Sequence, residues 1–343
     1  MRKYFTEVGI NSYIHEKLLI PVESLDEVDD DNKYHIYMIL SIPKIIINKD
    51  SLICNENGIS CDLTVIKDGN EELIKIRNYK PFTDINFAQL DISTSYPYTS
   101  LYLQYKEHEI EILYKSITKD NKYPEITLED FREKLLSSPV EISSDYIYNY
   151  SLLISHNYLD MNVLYIGQAY GSDGERTATK RLKSHSTLQK ILMDCHTKSP
   201  DKRLYLLLLE FTDNLQMYFD GMSQNYIKSN EEDNIHIHNV LSNIPNYKQV
   251  INITEAALIN YFKPSYNINF VENFPNHNHL GYKQYFNLDY NSLIVELDLA
   301  FNNHIQVKLY TDYAEAFGSF NFISYDLFND ENRDSMYSIF KKK

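Results

Sequence analysis

The run Lys202-Arg-Leu-Tyr-Leu-Leu-Leu-Leu-Glu-Phe211 constrains the fold more than any other stretch. A strand whose successive side chains all avoid water has no solvent face, so Leu204–Leu209 must lie inside a sheet that is covered on both sides. Such an element needs flanking strands and covering layers. A chain of 343 residues can supply them, with length for two or three domains.

A second short strand is predicted at Val163-Leu164-Tyr165-Ile166, from its β-branched and aromatic composition. Gly167 follows and is expected to let the backbone turn where a side chain would obstruct. A loop with Gly171 and Gly174 leads into residues 176–192, where Ala178, Leu182, Leu188, Ile191 and Leu192 recur near the helical period. One continuous helix there puts Arg181 and His185 on one face, one turn apart. Further on, Asn252–Asn267 reads as a helix capped by Thr254 or Asn252 and closed by Pro264, with Glu255 in its first turn.

These residue types suit phosphodiester chemistry. An arginine clamps phosphate oxygens bidentately and neutralises developing charge. A histidine or tyrosine orients or deprotonates a water. A carboxylate holds a cation that acts as Lewis acid. Residues 176–190 carry Arg176, Lys180, Arg181, Lys183 and Lys190 with no acidic residue, a local footprint for a phosphate backbone.

With these residues in place the chain resembles the GIY-YIG nucleases. The second signature triplet of that family matches Tyr165-Ile166-Gly167, its helix arginine matches Arg181, and its metal-binding glutamate matches Glu255. The tail of its signature matches Leu258-Ile259, Pro264 and Asn267. His185, four residues after the arginine, is most like the restriction-enzyme branch. The matching part spans about Tyr146 to Phe270. The resemblance implies cleavage of duplex DNA with one divalent ion, Mg²⁺ or Mn²⁺, on Glu255. It further implies catalytic roles for Tyr165, Arg181, His185, Glu255 and Asn267, with substrate contacts at Gly167, Lys180 and Lys183. Restriction or anti-phage defence is suggested by analogy alone.

The first triplet of the family ends some ten residues before the second, and there this chain reads Leu152-Leu153-Ile154. If Tyr146–Ile154 is a strand, Tyr148 and Tyr150 share the parity of position 154 and either supplies the missing phenol, with Tyr150 preferred. Otherwise the base is Tyr165 or His185. The missing tyrosine also motivates a second reading, a decayed core that binds nucleic acid, or joins a complex, without cutting.

The expected fold class is α+β. A β-rich accessory domain takes residues 1–140, and a small antiparallel-sheet nuclease core flanked by helices takes 141–270, with an insertion at 212–248. Residues 271–343 form an extension, with a hairpin of Leu293–Leu299 and Ile305–Leu309 followed by a helix from about Thr311. In the first domain Ile110–Leu113 is among the expected strands, and Glu23–Asp31 reads as a solvated acidic loop. The alternate His236 and His238 read as polar loop or strand residues rather than metal ligands, and Lys341–Lys343 as a solvated end.

The net charge of −15 excludes a uniformly basic coat for nucleic acid. It is uneven: −10 over residues 1–145, −1 over 146–270 and −4 over 271–343, so the near-neutral part carries the motifs. The acidic first domain suits a protein partner better than DNA, and a homo-oligomer is compatible with the composition. There is no apolar run of 18 residues, and Met1-Arg-Lys-Tyr-Phe-Thr-Glu lacks a signal-like apolar region. Together with Cys54, Cys61 and Cys195, an odd set without metal spacing, this predicts a reduced cytoplasmic setting.

Overall fold

The computed structural model describes all residues except 30–32, 68, 83–84, 120–126, 172–175, 220–225, 302–304 and 337–343; Gly174 and Lys341–Lys343 therefore lie outside the described residues. The fold is mixed α+β. Two compact units divide the chain, one made of residues 1–42 and 158–343 and the other of 43–157.

Strands β1 (Thr6–Pro21) and β2 (Ile36–Ile47) come first, and β2 gives its last residues to the second unit. That unit continues with β3 (Ile53–Asn55), β4 (Gly58–Lys67), β5 (Asn70–Tyr79), β6 (Leu90–Thr94) and β7 (Ser100–Tyr105). It closes with helices α1 (Glu107–Lys119) and α2 (Leu128–Ser137), β8 (Val140–Ser143) and α3 (Ser144–Ile154). The first unit resumes with β9 (Leu159–Gln168), α4 (Ala178–Leu182), α5 (Ser186–Lys198), β10 (Lys202–Phe219), α6 (Asn230–Ser242) and α7 (Tyr247–Phe262). Then follow α8 (Lys283–Asn287), β11 (Ser292–Asp298), β12 (Val307–Tyr310) and β13 (Phe320–Asp326).

In the second unit β4 pairs antiparallel with β3, with β5 and with Lys44–Ile47 of β2, and β6, β7 and β8 form a small antiparallel sheet. Two strand expectations fail here. Ile110–Leu113 lies in α1, where Ile110 is buried and Ile112 exposed, a difference that the helical period explains and that alternation, which puts both on one face, does not. Residues 146–154 lie in α3, whose start is fixed by the Ser143 side chain accepting from the Tyr146 N–H. Helix α2 is capped by Thr127, whose side chain accepts from the Asp130 N–H at 3.1 Å.

In the first unit the described strands run in the order β12-β9-β2-β10-β1-β11-β13. The buried run of β10 sits inside, with Leu206–Leu209 fully buried. Leu204, Leu206 and Leu208 share a cluster with Ala178, Leu182, Leu188 and Ile191 of α4 and α5. Leu207 and Leu209 point to the opposite face. Helix α7, with ten buried residues from Val250 to Phe262, packs against β9, β10, β11 and β13. No helix among the described residues is long and apolar enough to cross a membrane.

Domain boundaries near residues 140 and 270 are therefore not those of the structure. β1 lies between β10 and β11, antiparallel to one and parallel to the other, so the chain's first residues and its late strands make one sheet. The expected hairpin of residues 293–309 is also replaced. β11 pairs with β1 and β13, while β12 runs parallel to β9, leaving one isolated bridge, Ala300 to Gln306, between the two segments. Beyond Thr311 the chain forms β13, where a helix was expected, because alternate burial of Asn321 and Ile323 suits a strand on β11. The expected insertion begins inside β10, and His236 and His238 lie on α6, where the His236 ring stacks on Tyr4 at 4.0 Å. In the acidic stretch Val22–Glu27 forms a short 3-10 turn anchored by buried Leu25, while Asp30 and Asp31 lie outside the described residues.

Candidate active site

Strands β2 and β9 pair antiparallel, with Tyr37 opposite Gly167 and Ile39 opposite Tyr165. Residues opposite each other share a face, so both tyrosines rise from the same side of the sheet, their ring centroids 6.2 Å apart. Gly167 lies within β9 and makes no turn. A Cβ there would stand 2.7 Å from Tyr37 Oη and 2.8 Å from Tyr165 Cε1, so glycine is needed for the close approach of the two rings.

The single helix expected over residues 176–192 is two. Arg181 lies in the last turn of α4, and His185 is the N-cap of α5. The break keeps both side chains at one place. Arg181 Nε donates to Tyr37 Oη at 3.1 Å, and His185 Nε2 lies 3.3 Å from the same oxygen. The tautomer follows from the cap. His185 Nδ1 accepts from the Leu188 N–H at 3.3 Å, and a backbone amide can only donate, so in the neutral ring Nε2 carries the proton and donates to Tyr37. Burial, and then the charges of Arg181 and Arg176, lower the His185 pKa from its ordinary value and keep the ring neutral at pH 7.

Tyr37 is fully buried and Tyr165 half-buried. Burial raises the pKa of both phenols. For Tyr37 the hydrogen bond and charge of Arg181 oppose the rise; for Tyr165 the charge of Arg181 and hydrogen bonds from Tyr37 and Arg181 do so.

Glu255 sits in the middle of α7, which starts at Tyr247 under an Asn246 cap, and not in a first turn capped by Asn252 or Thr254. Its carboxylate therefore has no role at a helix N-terminus. It is buried, and burial pushes its pKa up to about 7 against the pull of hydrogen bonds from the Gln168 side chain and backbone and of the Arg181 charge. Asn267 holds the strand beneath the site: its Oδ1 accepts from Ile166 N–H at 2.9 Å and its Nδ2 donates to Ile166 C=O at 2.8 Å. Pro264 follows the end of α7, where Lys263 takes a left-handed cap conformation.

Lys180 is exposed, whereas the Lys183 ammonium pairs with Asp26 at 3.2 Å. Tyr150 lies with Tyr148 on helix α3 of the second unit, where a strand was expected, its ring 4.5 Å from that of Tyr79. The phenol that pairs with Tyr165 is Tyr37, which the sequence reading passed over. Its signal was present in Ile36-Tyr37, the last two residues of a Gly-Ile-Tyr triplet, on a strand-like run far upstream of the expected spacing.

Among the described residues no three acidic, histidine or cysteine side chains lie together as a metal cage. A single buried carboxylate within reach of the Arg181 charge could hold only a hard cation that keeps most of its water, as Mg²⁺ does. Comparison with known families, with curated proteins and with solved structures returns no match in any of the three.

Proposed function

We propose that residues 1–42 and 158–343 form a GIY-YIG-type endonuclease that hydrolyses phosphodiester bonds in duplex DNA with one divalent cation. The observation that carries this reading is the convergence of Arg181 and His185 on the Tyr37 oxygen, with Tyr165 beside it and buried Glu255 within reach of the Arg181 charge. His35-Ile36-Tyr37 stands in the place of the first family triplet, and residues 43–157 are then an insertion between the two triplet strands. Tyr37 supports the enzyme reading by supplying a phenol beside Tyr165, the group whose absence motivated the decayed-core alternative.

In this reading the Arg181 guanidinium holds the scissile phosphate while its Nε keeps Tyr37 in place. Tyr165, the more accessible phenol, orients the attacking water; as its phenolate, formed by loss of the phenol proton to solvent and favoured by Arg181 against burial, it takes the water's proton. His185 supports the pair as a donor. Its Nδ1 is held by α5 and its Nε2–H points at Tyr37, so the neutral ring has no lone pair for the water. Glu255 would hold the cation, Mg²⁺ or Mn²⁺, which would supply Lewis-acid stabilisation of the leaving oxygen. Exposed Arg176 and Lys180 flank the clamp and suit a phosphate backbone.

The test is a nicking assay on duplex DNA. Wild-type protein is expected to cut with Mg²⁺ or Mn²⁺ and to be silent in EDTA, and Glu255→Ala to lose cutting while its circular dichroism is unchanged. Full activity in Glu255→Ala sinks the metal assignment. DNA binding without cleavage under any divalent ion returns the decayed core.

A further inference from the structure

Gln168, the last residue of β9, touches Glu255 twice, through its side-chain amide and through its backbone N–H. Its Nε2 also donates to Asn252 Oδ1 at 2.6 Å. Asn252 lies on α7, three residues before Glu255, and its Nδ2 donates to the Gly281 carbonyl at 3.1 Å. The direction of this chain is not arbitrary. A carbonyl oxygen can only accept, so Gly281 fixes the Asn252 amide with Nδ2 toward it and Oδ1 toward Gln168. Asn252 Oδ1 in turn demands a donor, which fixes the Gln168 amide with Nε2 forward. The second Nε2 hydrogen is then the one available to the carboxylate.

The Gly281 end is itself held tightly. A Cβ at Gly281 would stand 3.0 Å from His279 Cε1 and 3.1 Å from Asn252 Nδ2, and the Gly281 N–H donates to His279 Nδ1 at 3.3 Å. The His279 ring stacks on Tyr282 at 4.5 Å, and Tyr282 is fully buried. The loop before α8 thus offers a fixed acceptor.

We infer that Gln168 is a positioning residue for Glu255, its amide oriented by Asn252 and, through Asn252, by the Gly281 carbonyl, so that the Glu255 carboxylate is held in one orientation toward the cation. This rests on the nuclease reading for the cation itself. A carboxylate held by fixed donors presents an oriented ligand, and groups that orient a metal ligand in this way are worth roughly tenfold to a hundredfold in metal affinity.

The experiment measures Mn²⁺ binding to the full chain by electron paramagnetic resonance, alongside the Mn²⁺ concentration for half-maximal DNA nicking. Gln168→Met, similar in length and without a donor, is expected to weaken Mn²⁺ binding about tenfold or more and to raise the half-maximal concentration by the same factor. Asn252→Asp, which cannot donate to Gly281, should weaken binding in the same direction. The double variant should be no weaker than Gln168→Met alone, because Asn252 acts through Gln168. Glu255→Gln serves as reference and should abolish the site. Wild-type affinity in a folded Gln168→Met, with binding lost in Glu255→Gln, overturns the positioning role and leaves the nuclease reading standing. Additive losses in the double variant also overturn it, since they describe two independent structural contacts. If wild-type protein binds no Mn²⁺, or Glu255→Gln binds it as well as wild type, both readings fall.

Discussion

The Tyr37 oxygen receives two donors, from Arg181 and from neutral His185, in a place without solvent. A phenol so placed has its charge state and orientation set by its neighbours rather than by water. Tyr37→Phe is expected to lower the nicking rate about a hundredfold or more, in line with the loss of an electrostatic group from an active site, while Tyr150→Phe stays near wild type. Equal losses in the two variants, with both proteins folded, would count against the site described. His185 adds a pH dependence. Its folded pKa is lowered, so the unfolded chain binds the proton more readily, and the stability it contributes is present above the unfolded value of about 6.5 and lost as pH falls from there through the folded value. Protonation would also set two donors, Nδ1–H and the Leu188 N–H, against each other. Urea unfolding of wild type and His185→Asn between pH 7.5 and 5 should show a steeper loss for wild type. His35, His236 and His279 are also lowered and contribute to both proteins alike, so only the difference reports on His185.

At the scale of elements, the break between α4 and α5 decides the site. A continuous helix would tie Arg181 and His185 to one cylinder, whereas the break lets His185 serve as an N-cap with its ring turned to Tyr37. Two roles in one side chain can be separated. Asparagine is a good N-cap and has no group at the distance of Nε2, so His185→Asn should keep stability at pH 7.5 within about 1 kcal/mol and still lose most of the cutting. A variant that unfolds readily at that pH, or that cuts normally, contradicts this division of labour. The pairing of β2 with β9 is the other decisive element. It places Tyr37 opposite Gly167, and the Asn267 side chain clamps both backbone polar groups of Ile166 from the far side of the sequence.

At the scale of the whole chain, the two strands that carry the tyrosines are neighbours in space and separated in sequence by residues 43–157. The closure entropy of a connection grows only slowly with its length, so an inserted unit between paired strands costs little. Joining Ile42 to Tyr158 through a linker of about six residues should therefore give a folded first unit that nicks DNA within about tenfold of the full chain. Size-exclusion profile, circular dichroism and the nicking assay together read the outcome. Loss of solubility or of cutting in that chain would show that the first unit depends on the second.

The sequence by itself singled out most residues of the candidate site, through side-chain chemistry and motif spacing. The Tyr165-Ile166-Gly167 strand, Arg181, His185, Glu255 and Asn267 all stand out by residue type and spacing, and the run Leu204–Leu209 requires a strand covered on both faces, as found. Short apolar segments were less legible. Ile110–Leu113 and Tyr146–Ile154 satisfy strand composition and helical period alike, and only their caps and packing choose the helix. What tertiary structure alone decided was pairing. Strand partners are set by burial and register, which carry no record of the chain length between them, so the spacing of about ten residues led to Tyr150 while the sheet brought in Tyr37. The same holds for β1, whose place between β10 and β11 joins the two ends of the chain in one unit: hydrogen bonds along a strand edge are nonlocal, and their partners appear only when the sheet is formed.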